Sequence, residues 1–145
     1  MNTQSPTDES AVEIFRFVED LVGEGRFGGS WIYRWGGRQV LGLALLVPSQ
    51  QEVDSIQAAA ERASWSVTID VVKYSRNELI GFYEGMSGPE GDAVVSFGWE
   101  ATVNKVAVML SKVDPDAVAY FRERIPEDAL LIRLVQWRAV AAGGE

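Results

Sequence analysis

The sequence predicts an α+β protein made of two tandem ββαβ units, with an extra N-terminal helix and a further helix linking the units. Three observations carry that expectation. Residues 97–110 alternate like a β-hairpin and run directly into a sharply capped helix and a last apolar strand. The same order of signals occurs about 66 residues earlier, which marks an internal repeat. Each unit offers one antiparallel hairpin with a face to hide and one amphipathic helix to hide it, the makings of a two-layer structure.

The elements follow in order. Asp8 or Ser10 caps a first helix, Ser10 and Glu13 having capping-box spacing, and Ala11, Ile14, Phe15, Val18, Leu21 and Val22 recur at helical intervals. Gly23 ends it. Residues 29–34 and 39–47 read as strands joined through Trp35, Gly36, Gly37 and Arg38, where glycines supply the positive φ of a tight hairpin turn. Pro48 stops the second strand, and Ser49 with Glu52 makes a capping box for a helix bearing Val53, Ile56, Ala60 and Ala63. Trp65, Val67, Ile69 and Val71 alternate with Ser66, Thr68, Asp70 and Val72, the period of a half-buried strand.

Ser75 and Glu78 open a short linking helix with Leu79, Phe82, Tyr83 and Met86 on one face, and residues 87–91 are turn-rich, the expected boundary between lobes. In the second copy, residues 93–100 and 105–112 form the hairpin. Asp114 caps a helix with Pro115 at its first position; Val118, Phe121 and Ile125 line it, and Pro126 breaks it. Residues 130–138 close the unit. The expected division is an N-terminal helix within 1–24, packed on the first lobe; that lobe and its linking helix over 25–86; a second lobe over 92–140; and a flexible tail at 141–145. Each third strand returns over its helix, and both parallel and antiparallel pairing remain open to it.

Composition narrows the function. The chain is 47% apolar and 23% charged, ordinary for a globular domain. A net charge of −8, with lysines only at 73, 105 and 112 and scattered arginines, argues against nucleic acid, because phosphate binding needs clustered cations. No apolar run reaches the roughly 18 residues of a membrane span, and the polar residues 1–10 do not read as a signal peptide, so a cytoplasmic protein without membrane contact is expected.

Cysteine and histidine are absent, which removes disulfides, thiolate chemistry, Ser-His-Asp triads and imidazole ligands. The Gly23-x-Gly25-x-x-Gly28 pattern has a helix before it and a strand after it, the reverse of a phosphate-binding loop. Ser111 and Lys112 are neighbours on a strand and point to opposite faces. Capping and turn formation account for Asp114, Asp116, Glu127 and Asp128. No catalytic residue, cofactor or metal is expected.

Among the aromatics, Trp31, Trp65 and Trp99 sit in alternating strand patterns and read as core. Trp35, at a hairpin tip, reads as exposed. On the last strand Leu131, Arg133, Val135 and Trp137 share one face while Leu130, Ile132 and Leu134 supply the other. A strand apolar on both faces is either covered twice or part of an interface, which makes Leu131, Arg133, Val135 and Trp137, with Trp35, the candidate partner-binding residues.

Gly29-Ser30-Trp31 before a strand, Tyr74-Ser75 with Glu78-Leu79, and Trp99 through Asn104-Lys105-Val106-Ala107-Val108 carry a resemblance. In order and spacing they are similar to the runs G-S-W-x-D, S-x-x-E-L and W-x-V-D-x-x-T-N-K-V-V-V of the propeptides of streptogrisin and α-lytic-type bacterial serine proteases, here as a chain standing alone without the protease. Tyr33-Arg34 stands where the first family motif has its aspartate. The resemblance implies a protein that binds a protease, assisting its folding and then inhibiting it, mainly through the C-terminal lobe and tail. The combined expectation is a non-enzymatic protein-binding module acting through an edge strand or sheet face. The alternatives are a structural homo-oligomer using the same face and a small-molecule binder or enzyme with its site between the lobes.

Overall fold

The computed structural model describes residues 8–135. In chain order these form α1 (Asp8–Val22), β1 (Phe27–Trp35), β2 (Arg38–Leu45), α2 (Gln50–Arg62), β3 (Ser66–Val71), α3 (Arg76–Tyr83), β4 (Val94–Glu100), β5 (Lys105–Leu110), α4 (Pro115–Arg124) and β6 (Leu130–Leu134). The fold is α+β: two tandem ββαβ units, each with a three-stranded sheet, preceded by α1 and linked by α3. The chain divides into two compact units inside α3, between Leu79 and Ile80, rather than at residues 87–91. Ala101–Asn104, the reversal between β4 and β5, belongs to the first unit.

In the first unit β1 and β2 pair antiparallel from Phe27 opposite Leu45 to Trp35 opposite Arg38. They close on Gly36 and Gly37, whose φ values of 58° and 79° are those of a type I′ turn, a conformation that side chains oppose. β3 pairs parallel with β2, so the order is β1-β2-β3. The crossover through α2 is what permits this: a parallel neighbour needs a connection long enough to return the chain to the same end of the sheet. Leu41, Leu43 and Leu45 are fully buried on the helix side, against Ile56 and Ala60 of α2 and Ala11, Ile14, Val18 and Val22 of α1. Burying each leucine contributes about 1.5–3 kcal/mol.

Two expectations about this unit are corrected. α1 already includes Ser10, so no capping box forms there; instead Ser10 Oγ accepts a 2.9 Å hydrogen bond from Trp65 Nε1, satisfying a buried indole. Trp31 is not in the helix-covered core. It pairs with Gly42, on the face away from the helices.

The capping boxes at Ser49 and Ser75 form as the spacing predicts. Ser49 Oγ accepts from the Glu52 N–H at 3.1 Å while Glu52 accepts from the Ser49 N–H at 2.9 Å. Ser75 and Glu78 exchange the same pair of bonds. Glu52 is further gripped by both arms of Arg26, at 2.9 and 2.5 Å. The Arg26 hydrogen bond, with help from the Ser49 N–H, holds the Glu52 carboxyl at about 2.

In the second unit β4 and β5 pair antiparallel, and β6 lies parallel to β5 after the α4 crossover. Asp114 caps α4, accepting from the N–H groups of Asp116 and Ala117 at 3.0 and 3.2 Å. Val106, Val108 and Leu110 of β5 are buried, as are Ala117 and Phe121 of α4 and Ile125 at its end, and the Phe97 and Phe121 rings meet at 5.2 Å. Val118 is only half-buried; Ala117 occupies the inner side of the helix.

The repeat extends to irregularities. The first strand of each unit slips register by one residue, between Phe27 and Gly29 and between Val94 and Ser96. Matching Phe27 and Leu45 to Val94 and Leu110 makes Gly98 the structural counterpart of Trp31, and Ile32 that of Trp99. Side chains alternate along a strand, so this one-residue offset sends the two tryptophans to opposite faces. Trp99 points to the α4 side, sharing its face with Phe97 and Val106.

Candidate binding surfaces

In the second unit, Leu131 and Arg133 lie beside Ala107 and Met109 on the face away from α4, and Val135 follows them, its N–H bonded to the Leu110 carbonyl at 2.8 Å. Three of the predicted residues therefore share a surface. Leu131 and Val135 are half-buried and Arg133 is exposed. On the other face Leu130 and Ile132 are half-buried, but Leu134 is 57% exposed. Among the described residues β6 pairs with β5 alone, leaving its outer edge unpaired. Trp137 lies outside the described residues.

Trp35 belongs to the first unit and so to a different surface. The sheet face away from α1 and α2 is a trough. Its floor is the small central column of β2, Val40, Gly42 and Ala44, all buried. One wall is the aromatic row Trp31, Tyr33 and Trp35 on β1; the other is Ser66, Thr68 and Asp70 on β3. Trp31 lies against Gly42 so closely that a Cβ there would fall 2.2 Å from the indole. Tyr33 spans the trough, its hydroxyl 3.0 Å from Thr68 Oγ1.

That bridge divides the trough into two depressions. The larger, about 390 Å³, is bounded by Trp35, Tyr33, Arg38, Val40, Ser66 and Thr68. The second, about 360 Å³, lies between Trp31, Asp70 and Thr102, a residue of the same unit. Trp35 is 75% exposed while Val40 beneath is 4% exposed. Neither Arg38 nor Asp70 makes an ion pair among the described residues.

Sequence reasoning singled out Trp35 and missed the trough around it. The signal was present: Trp31, Tyr33 and Trp35 recur with period two, as do Ser66, Thr68 and Asp70. Only the β1-β2-β3 order places those rows on opposite sides of a small-residue column. Among the described residues no group of three acidic side chains converges in a metal-binding arrangement, and no helix is long and apolar enough to cross a membrane. No model of a known protein family matches the sequence, and no curated protein is detectably similar to it.

Proposed function

We propose that this chain is a non-enzymatic protein-binding module of the propeptide-like class, whose second unit receives a partner protein along β6. The observation that carries the reading is an edge strand with apolar side chains on both faces: Leu130, Ile132 and Leu134 on one, Leu131 and Val135 on the other. An unpaired edge offers backbone N–H and C=O groups to a partner strand, and flanking apolar side chains supply the anchor. Arg133 adds a charge-assisted contact at the rim.

The motif resemblance makes a secreted bacterial serine protease of the streptogrisin or α-lytic type the partner to try first. The full chain is titrated against such a protease, and residual activity and complex formation are measured. Inhibition with a Kd at or below about 1 μM is expected, weakened at least tenfold (about 1.4 kcal/mol) by Leu131→Asp. Full protease activity at tens of micromolar chain overturns the protease partner. Light scattering on the free chain tests self-association: a dimer dissolved by Leu131→Asp assigns β6 to a homo-oligomer instead.

A further inference from the structure

We infer that the trough on the helix-free face of the first sheet is a second recognition site, for an extended polypeptide segment lying along the outer edge of β3. The segment carries an acidic residue at the Arg38 end, a bulky apolar residue facing Trp35 and Tyr33, and a basic residue at the Asp70 end. This site is independent of the β6 surface and of the partner proposed for it.

The space beside Trp35 is preformed. The hydrogen bond to Thr68 ties down the Tyr33 ring, Trp31 is seated on Gly42, and the Gly36-Gly37 turn sets Trp35 directly opposite Arg38. A wall fixed before binding loses little entropy on binding. Trp35, three-quarters exposed, is a large apolar side chain of the kind that anchors interfaces.

Charge sets the direction and length of the occupant. Arg38 and Asp70 stand at opposite ends of the trough, neither neutralised by a described residue. The rows between them are Val40 with Ser66 and Gly42 with Thr68, before Ala44 with Asp70. Three such steps of two residues are about 20 Å, the span of six residues of extended chain. An acid at position one, an apolar side chain at three and a base at seven would therefore meet Arg38, the larger depression and Asp70 in turn.

The edge explains why the occupant is a polypeptide rather than a free small acid. β3 pairs with β2 alone among the described residues, so its outer backbone groups are available to a ladder immediately beside the depression. A depression of about 390 Å³ open to one side is at the small end of ligand pockets, and main-chain hydrogen bonds make up what it lacks in burial.

The test uses the full chain and the peptide acetyl-Glu-Thr-Phe-Thr-Ser-Thr-Lys-amide, its reversed order (for antiparallel addition), and versions of both with Glu and Lys exchanged. Binding is read by calorimetry and by tryptophan fluorescence. One order is expected to bind with Kd below about 1 mM and its charge-exchanged version at least tenfold more weakly. The double variant Arg38→Glu with Asp70→Lys should invert that ranking, and Trp35→Ala should abolish binding by both; all these positions are exposed, so thermal melts should match the parent. Leu131→Asp should leave peptide binding unchanged. Absence of binding in either order, a ranking that charge reversal does not invert, or equal affinity for 3-phenylpropionate alone would overturn the proposal.

Discussion

Asn104 shows how one side chain can satisfy another residue's backbone. It sits in the left-handed region at φ 54°, is 9% exposed, and its amide mimics a peptide group: the Tyr74 N–H donates to Oδ1 at 3.0 Å and Nδ2 donates to the Tyr74 carbonyl at 2.8 Å. Removing it strands both groups, so Asn104→Ala should destabilise by about 2–3 kcal/mol in urea denaturation, and Asn104→Asp by a comparable amount through loss of the donor. Glu52 is a different case because its contribution depends on pH. Its folded-state value lies below the ordinary carboxylate value of 4.5, so its stabilisation is complete above that pH and is lost as pH falls toward about 2. The melting-temperature gap between parent and Glu52→Gln should therefore be wide at pH 7 and shrink steadily between pH 4.5 and 2. Two indoles differ in partner: that of buried Trp65 donates from Nε1 to Ser10 Oγ, whereas Nε1 of half-buried Trp99 is itself buried without an acceptor among the described residues. Trp65→Phe should cost about 1–2 kcal/mol more than Trp99→Phe, because only the former breaks a hydrogen bond.

Among the elements, the caps were readily legible, because a cap involves residues no more than three apart. Ser49-Glu52, Ser75-Glu78 and Asp114-Pro115 could all be read from spacing, and all three form. Asp114→Ala should cost about 1 kcal/mol, seen as a lower denaturation midpoint with an unchanged slope. The Ser10-Glu13 pair has the same spacing yet lies inside α1, since the same three-residue interval also recurs within a helix. Strand identity was equally legible, but the facing of individual residues was not. Gly42 illustrates why: it looks like an unremarkable interruption of an apolar strand, yet Trp31 lies across it. Gly42→Ala should destabilise by about 1–3 kcal/mol through overpacking, and much of that should be relieved in the Trp31→Ala background, a coupling that a double-mutant cycle measures.

At the scale of the molecule, each sheet places its most buried strand in the middle. β2 and β5 have neighbours on both sides and helix-facing side chains at or near zero exposure, while β3 and β6 are edges. Amide hydrogen exchange should accordingly be slowest in β2 and β5 and faster along β3 and β6, and a partner on either edge should slow that edge selectively. By itself the sequence determined the α+β class, the order of ten helices and strands, the two hairpins and the repeat, since periodicity, caps and turns act over a few neighbouring residues. Tertiary structure alone decided the parallel seating of both third strands, the opposite facing of Trp31 and Trp99, the division inside α3 and the trough between β1 and β3. Those outcomes depend on which distant strand lies alongside and in what register, and a shift of one residue, almost invisible in composition, reverses every side chain.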